Sequence, residues 1–204
     1  MSEPLPLATL HESVFRFLRG RDDAVLFGAY AVNAWVDEPR MTQDIDILST
    51  AAERLAQEIQ EMLAGQFHIA VRVRDIGPDK GLRLCQVRRP RNRHLVDVRR
   101  VAALPPRENI EGVWVVAPPE LIAQKVMALH SRRKTPKAGT DWRDVAMLLI
   151  AFPALKTRDG EVKERLLNNG AGPPVLQTWA ELVEEEIVAE ADDDLEDPEA
   201  IDES

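Results

Sequence analysis

Apolar residues recur at helical or extended spacing through the first 65 residues. Leucine, valine and phenylalanine at helical spacing over residues 7–20, ending at Gly20, predict a helix. A short apolar run over residues 24–27 predicts a buried strand. The same reasoning predicts, in order, a helix at 29–36, a strand at 44–48 and an amphipathic helix at 51–65.

Three extended runs follow, over residues 67–76, 81–89 and 94–100, and each alternates apolar with basic side chains. Alternation of this kind is typical of antiparallel strands with one exposed face. Pro90, Arg91 and Asn92 predict the turn between the second and third runs. The apolar run at 113–117 predicts a last strand.

Beyond Pro118 the pattern becomes helical, and Thr140 is a candidate N-cap. The fold class that we predict is mixed α/β (α+β), with a mixed sheet flanked by helices over residues 1–117. A helical C-terminal portion over 118–187 and an acidic, disordered tail over 188–204 would follow it. The predicted C-terminal helices lie at 120–132, 141–152, 161–169 and 173–188.

The charge is unevenly distributed along the 204 residues. The net charge is -9, but residues 181–204 hold 13 of the 35 acidic residues and none of the 26 basic ones. The remaining chain is therefore basic, which could favour polyanions such as nucleotides or RNA. For charge alone, a solvated face is the simpler explanation. The acidic end could be a solubilising tail, or it could fold over the basic surface in place of nucleic acid.

The sequence also indicates the cellular compartment of the protein. Cys85 is the one cysteine, so no internal disulfide can form and a reducing compartment fits best. No apolar run is long enough to span a membrane, and the N-terminus lacks a signal-peptide pattern. We therefore expect a soluble, cytoplasmic protein that does not associate with a membrane.

Two carboxylates at the predicted strand 44–48 carry the first functional signal. Asp44 and Asp46 are two apart and would project to one side, while Ile45 and Ile47 face the core. Like charges so close repel unless a cation lies between them, and magnesium prefers oxygen ligands of this kind. A solvated strand end would show the same pattern, so the pair alone is a weak indication.

The surrounding segments strengthen the indication. Gly28 and Ala29 lie where a strand meets a helix N-terminus, which is a favourable place for an anion. Asp97, flanked by valines, supplies a third carboxylate that neighbouring strands could bring beside the pair. Three carboxylates and a phosphate-binding turn would form a two-metal site for displacement at phosphorus. A surface ion pair with Arg99 or Arg100 is the simpler alternative for Asp97.

The segment "FGAYAVNAWVDEPRMTQDIDIL" resembles the signature of polymerase-β-like nucleotidyltransferases. That signature has a glycine and a small residue, then a spacer, then Asp-x-Asp. The R-x-T-x-D-I-D form, with Arg40 and Thr42, is most similar to the AbiEii-type abortive-infection and type IV toxin group. A second motif of that group, K-x-x-A-L-x-x-R followed by D-x-x-D, matches Lys125, Ala128, Leu129, Arg132, Asp141 and Asp144.

The resemblance implies an enzyme that moves a nucleoside monophosphate from an NTP to an acceptor hydroxyl. Gly28 and Ala29 would cradle the triphosphate. Asp44 and Asp46 would bind Mg²⁺, with Mn²⁺ as the alternative. Asp97 would complete the metal site and help to deprotonate the acceptor. The acceptor would be a tRNA 3′ end or a protein side chain, and a cognate antitoxin could be a further partner.

The same resemblance implies that Lys125 neutralises phosphate charge, and that Asp141 orients Lys125 or contacts the acceptor or base. Arg40 and Thr42 would lie in the nucleotide-binding segment, where Arg40 is either a structural clamp or a phosphate contact. Without the family pattern, Lys125 would be a solvated lysine and Asp141 a first-turn carboxylate. Asp144 would be a structural partner of a nearby arginine, either Arg132 or Arg143.

Two departures from the family pattern keep other functions open. Ala29 replaces the more usual glycine or serine, and Tyr30 replaces the more usual threonine. Ala29 keeps its backbone N–H, whereas Tyr30 could crowd the pocket. An inactive member that acts as a binding module or antitoxin-like partner, and an ordinary nucleic-acid-binding protein with incidental carboxylates, therefore remain alternatives.

Overall fold

A computed structural model describes residues 5–77 and 80–188 of the chain. One seven-stranded sheet is combined with seven α-helices in this part of the molecule. The helices are α1 (Leu7–Leu18), α2 (Gly28–Asn33), α3 (Ala52–Phe67), α4 (Pro118–Ser131), α5 (Lys137–Ala151), α6 (Glu161–Asn168) and α7 (Pro173–Glu184). The strands are β1 (Ala24–Phe27), β2 (Ile45–Ser49), β3 (Val71–Asp75), β4 (Leu82–Gln86), β5 (Arg93–Arg100), β6 (Arg107–Ile110) and β7 (Val113–Val116).

The sheet is mixed, as the sequence predicted, and its order is β3-β4-β5-β2-β1-β7-β6. Strand β2 runs parallel to β5, and β1 runs parallel to β7, whereas the other neighbouring pairs are antiparallel. The predicted antiparallel arrangement of the three alternating runs is confirmed in β3, β4 and β5. The topology places β1, β2 and β5 side by side at the centre, although β5 is distant from the other two in sequence.

The burial of β2 follows its alternation of apolar and acidic residues. Ile45 and Ile47 are fully buried in the core, whereas Asp46 is only partly buried. Helix α3 packs against β2, β3, β4 and β5, and its Leu55 and Ile59 are fully buried. One face of these four strands is thereby covered by α3.

The sequence analysis did not predict strand β6. Strand β6 pairs with β7 in an antiparallel hairpin at the edge of the sheet. Its sequence is polar and follows two prolines, so it lacks the alternation that identified the other strands. The two-residue turn Glu111-Gly112 has φ values of 50° and 87°. Both residues of a type I′ turn require positive φ, and a glycine at the second position accommodates this conformation readily.

The predicted N-cap at Thr140 is wrong. Helix α5 begins at Lys137 and follows Pro136, so Thr140 lies inside the helix. Pro136 has φ -57° and ψ -23°, which suits the start of a helix. Helix α2 is also shorter than predicted, since it ends at Asn33 and not at residue 36.

The C-terminal portion after Ala117 consists of α4, α5, α6 and α7, and α4 packs against the other three. The boundaries proposed for the domains stay a prediction. The acidic segment from residue 189 onward lies outside the described residues. Within the described ranges, no helix combines the length and the apolar character needed to cross a bilayer.

Candidate active site

The three central strands bring the predicted carboxylates together. Asp46 lies opposite Phe27 of β1 on one side and opposite Asp97 of β5 on the other. Neighbouring strands are about 4.8 Å apart, so the backbones of Asp46 and Asp97 are adjacent. Asp44 directly precedes β2 and is partly buried. The structure therefore places Asp44, Asp46 and Asp97 in one cluster, while their catalytic roles remain predictions.

Gly28 follows Phe27 and lies directly against the Asp46 carboxylate. Its φ is +72°, a conformation that residues with a side chain rarely adopt. A Cβ atom at this position would lie 2.2 Å from Asp46 Oδ2. Gly28 is therefore needed both for the turn from β1 into α2 and for the close approach of the carboxylate.

Replacement of Gly28 by alanine is expected to displace the Asp46 carboxylate and to strain the turn. The left-handed conformation alone costs about 1 kcal/mol for a residue with a Cβ. We expect a lower Tm and a loss of metal binding, measured by thermal unfolding and titration calorimetry. Gly65 is the matched control, because a Cβ there meets no atom within 4 Å. Normal metal binding by Gly28→Ala would contradict this account of Gly28.

Asp97 is held by two side chains that the sequence analysis did not select. Arg83 of β4 donates to both of its carboxylate oxygens, at 2.9 and 2.8 Å. His94 Nε2 lies 2.7 Å from Asp97 Oδ1. Burial alone would raise the pKa of Asp97, but the hydrogen bonds from Arg83 and His94 lower it to about 2. Asp97 is therefore ionised, and its partner is Arg83 rather than Arg99 or Arg100.

His94 connects two of the acids. Its Nδ1 atom lies 3.1 Å from Asp44 Oδ2, while its Nε2 atom contacts Asp97. One ligand atom from each of Asp44, His94 and Asp97 lies within 4.8 Å of the other two. Carboxylate oxygens and an imidazole nitrogen are donors that divalent metals accept. The residues present therefore fit a divalent cation at this end of β2 and β5.

Asp46 has the opposite electrostatic environment from Asp97. Burial, followed by the nearby charge of Asp44, raises the pKa of Asp46 to about 6. Arg99 and Lys125 oppose this shift. A carboxylate that is costly to ionise without a counter-charge gains most from a cation beside it, which agrees with a metal-binding role.

A second cluster of charged side chains joins the segment before β2 to helices α4 and α5. Asp144 of α5 is fully buried and accepts hydrogen bonds from Arg40 at 2.7 and 2.9 Å. Lys125 Nζ of α4 donates to Asp144 Oδ2 at 2.7 Å. The partners of Asp144 are therefore Arg40 and Lys125, in place of the expected Arg132 or Arg143. Arg40 therefore connects the segment before β2 to α5, while a contact with phosphate stays a prediction.

Asp141 does not contact Lys125 in this arrangement. Its carboxylate accepts hydrogen bonds from Arg132 at 3.3 and 3.1 Å. Asp144, one helical turn further along α5, contacts Lys125 instead. The carboxylate that holds Lys125 is thus Asp144, and contact of Asp141 with the acceptor or base stays a prediction.

The segment before β2 is shaped by polar contacts. Thr42 Oγ1 donates to the Asp44 backbone oxygen at 3.2 Å. Asn33 Nδ2 donates to the Arg40 backbone oxygen at 2.8 Å, and the Arg40 N–H donates back to Asn33 Oδ1 at 3.0 Å. These bonds fix the approach of the chain to Asp44. Within the described contacts, Thr42 and Arg40 thus help to place the acid.

Tyr30 is directed towards α1. Its hydroxyl lies 2.6 Å from His11 Nδ1, and its ring packs edge-on against Phe15 with centroids 4.9 Å apart. Burial, followed by the charge of Asp44, raises the pKa of Tyr30. Tyr30 therefore remains a neutral hydroxyl near the acidic cluster, held by contacts with α1.

Comparison with known proteins decides the family. Residues 14–200 match the family model described as "Nucleotidyl transferase AbiEii toxin, Type IV TA system". The chain belongs to this family. The resemblance seen in the motifs is thereby confirmed, and with it the enzyme class, a nucleotidyltransferase. No curated protein matches the sequence.

Solved structures confirm the fold of this AbiEii-family member. JHP933 from Helicobacter pylori is 15% identical with a TM-score of 0.55, over 89% of this chain and 90% of that chain. The Megavirus polyadenylate synthase is 12% identical with a TM-score of 0.58, over 72% of this chain. The AbiEii-family chain spans only 32% of the viral protein. At these identities the similarity establishes a shared nucleotidyltransferase fold.

Proposed function

We propose that this AbiEii-family protein transfers a nucleoside monophosphate from an NTP to an acceptor hydroxyl and releases pyrophosphate. The observation that carries the proposal is the convergence of Asp44, Asp46 and Asp97 beside Gly28. Acids grouped in this way suit magnesium or manganese, the divalent ions that prefer oxygen ligands.

Asp44 and Asp46 would hold the cations, and Asp97 is the third acid of the centre. When bound, divalent ions supply positive charge that favours attack by the acceptor oxygen and departure of pyrophosphate. The first backbone N–H groups of α2, at Gly28 and Ala29, have no side-chain cap among the described residues. They are available for hydrogen bonds to phosphate oxygens.

Lys125 and Arg40 would complete the nucleotide site from the other side. The charge of Lys125 acts on Asp46 and favours its ionised form, so the two groups lie in one electrostatic environment. Asp144 fixes the Lys125 amine at 2.7 Å and leaves its other hydrogens for a phosphate. Arg40 and Thr42 would position Asp44, and Asp141 would contribute a contact to the base or acceptor.

An RNA acceptor, such as the 3′ end of a tRNA, is favoured over a protein side chain. Strand pairing places Arg74 opposite Arg83, and Arg83 opposite Asp97. Arg72 and Arg74 are exposed on β3, next to this row. Arginines near the acids would contact backbone phosphates without regard to sequence, and such contacts supply affinity for RNA.

The test uses the purified protein with each labelled NTP, magnesium or manganese, and total RNA or cell lysate. We expect label to be transferred to RNA, and no label to be transferred by an Asp44→Ala/Asp46→Ala variant. Label on a protein would replace the RNA acceptor with a protein hydroxyl. RNA binding without any NTP-dependent labelling would contradict a transferase function.

The same assay examines a regulatory partner. Type IV toxin families imply a cognate antitoxin, and we propose one for this protein. A cell lysate component that forms a stable complex and suppresses labelling would support it. A stable complex with one protein, with no labelling under any condition, would favour an inactive binding module in place of the enzyme.

A further inference from the structure

We propose that His94 is a direct metal ligand through Nδ1, and that Asp97 is the carboxylate that orients this imidazole. The inference rests on the proposed function, because it concerns the same metal centre. It assigns the cation to Asp44 and His94, beside Asp46 as the other proposed carboxylate, with Asp97 behind His94. The third acid would then act through the histidine.

The hydrogen bonds of Asp97 are the first argument. Asp97 Oδ1 accepts hydrogen bonds from Arg83 Nε at 2.9 Å and from His94 Nε2 at 2.7 Å. Asp97 Oδ2 accepts one from Arg83 Nη2 at 2.8 Å. A carboxylate has about four lone-pair positions, and three of them are occupied here. The Asp97 side chain is only 12% exposed. Asp97 is therefore better placed to hold a neighbour than to coordinate a cation.

The orientation of His94 is the second argument. When Nε2–H donates to Asp97 Oδ1, the Nδ1 atom carries a lone pair and faces Asp44 Oδ2 at 3.1 Å. Two acceptors at this distance repel each other unless a cation lies beside both. Adjacent ligands of an octahedral ion with bonds of 2.0–2.1 Å are separated by about 3 Å, which agrees with this spacing. A carboxylate behind the imidazole is the usual way to orient a histidine ligand.

A nitrogen ligand changes the choice of metal. Magnesium takes oxygen ligands and retains water, whereas imidazole favours transition metals. The proposed set of two carboxylates and one imidazole should therefore bind Mn²⁺ more tightly than Mg²⁺. A site of three carboxylates would discriminate less between the two ions.

Mn²⁺ is the probe for the test, because it is paramagnetic. The full chain is loaded with Mn²⁺ in the absence of NTP and acceptor, and pulsed electron paramagnetic resonance detects ¹⁴N bound to the ion. We expect a ¹⁴N coupling from one imidazole. His94→Gln should abolish the coupling and weaken Mn²⁺ binding at least tenfold, with a smaller change in Mg²⁺ affinity measured by competition.

Two further variants separate the roles of the residues. Asp97→Asn keeps an oxygen acceptor for His94 Nε2–H, so it should retain the ¹⁴N coupling while it weakens binding about tenfold, as is usual for residues behind a ligand. His68→Asn is the matched control, because His68 is exposed at the end of α3 with φ 53°, which asparagine tolerates. It should change neither the coupling nor the affinity. Circular dichroism verifies that each variant is folded.

The alternative is an imidazolium that merely bridges the two carboxylates and competes with the metal. In that case His94→Gln would bind Mn²⁺ more tightly than the wild type, and no ¹⁴N coupling would be seen. Either result would overturn the inference. Nucleotide labelling without a ¹⁴N coupling would reject the histidine ligand and keep the transferase. A ¹⁴N coupling without any labelling would keep the ligand and reject the transferase.

Discussion

Replacement of Asp46 by asparagine is expected to abolish nucleotide transfer and, at the same time, to stabilise the protein. The variant loses a proposed metal ligand, and the several kcal/mol that a metal contributes to the transition state correspond to about a 10³-fold loss of rate. It also removes a charge that burial disfavours, since the pKa of Asp46 is raised to about 6. The labelling rate measures the first effect, and the Tm in metal-free buffer measures the second.

The stabilisation should depend on pH with a defined sign. A folded pKa above the unfolded value means that ionisation of Asp46 destabilises the fold, fully above pH 6 and not at all below about pH 4. A shift of this size corresponds to about 2–3 kcal/mol, so the Tm advantage of Asp46→Asn should be clear at pH 8 and smaller at pH 5. Asp22→Asn, at an exposed aspartate, is the control. A lower Tm for Asp46→Asn at pH 8 would contradict the account.

Replacement of Asp144 by asparagine is expected to cause the largest loss of stability. The carboxylate is fully buried and neutralises both Arg40 and Lys125. Loss of one partner from a buried ion cluster costs about 3–5 kcal/mol, because the remaining charges stay buried without compensation. Chemical denaturation measures the free energy of unfolding. Labelling should also fall, since Lys125 loses the group that positions it.

Asp141→Asn is the matched control on the same helix. Its partner Arg132 has a side chain that is 42% exposed, so the guanidinium can turn to water, and we expect a cost of about 1 kcal/mol. Equal destabilisation by the two variants would refute the special role of Asp144. Burial alone would raise the pKa of Asp144, but hydrogen bonds from Arg40 and Lys125 hold it below its usual range. The stability from this cluster is therefore present at neutral pH and lost in strong acid.

The sequence was sufficient for the central strands and for the positions of the acids. Alternation around Asp44 and Asp46 identified β2 and its buried face, and the valines beside Asp97 identified β5. These patterns show which side chains of a strand are buried, because burial follows the spacing of apolar residues along the chain. The edge strand β6 has no such pattern, because an edge position requires little apolar surface, and it was missed.

His94 and Arg83 could not be found in the same way. His94 is three residues before Asp97, and in a regular strand such residues point to opposite faces. A bulge shifts the register between β4 and β5, so that Leu84 pairs with Val96 and Cys85 with His94. A bulge of this kind re-aims side chains, and it accounts for His94 reaching the side of Asp97. Arg83 reaches Asp97 only through the pairing of two strands, which no local pattern reveals.

The sequence also could not show which of Asp141 and Asp144 contacts Lys125. Both follow the Lys125 motif, and they are one helical turn apart on α5. Which of them reaches Lys125 depends on how α4 and α5 pack, a tertiary property that spacing along one helix does not determine. The family pattern offered Asp141 either Lys125 or the acceptor or base as a partner; Lys125 contacts Asp144 instead, and the second alternative stays a prediction.

The bond between Arg40 and Asp144 spans 104 positions of the chain. During synthesis the ribosome completes β1, β2 and β5 long before it adds α5, so a nascent chain carries all three acids while Lys125 still lacks its carboxylate. Because domains begin to fold as they emerge, this order would delay assembly of the proposed centre until the C-terminal helices exist. The protein could thus carry out the proposed transfer only after α5 has been synthesised.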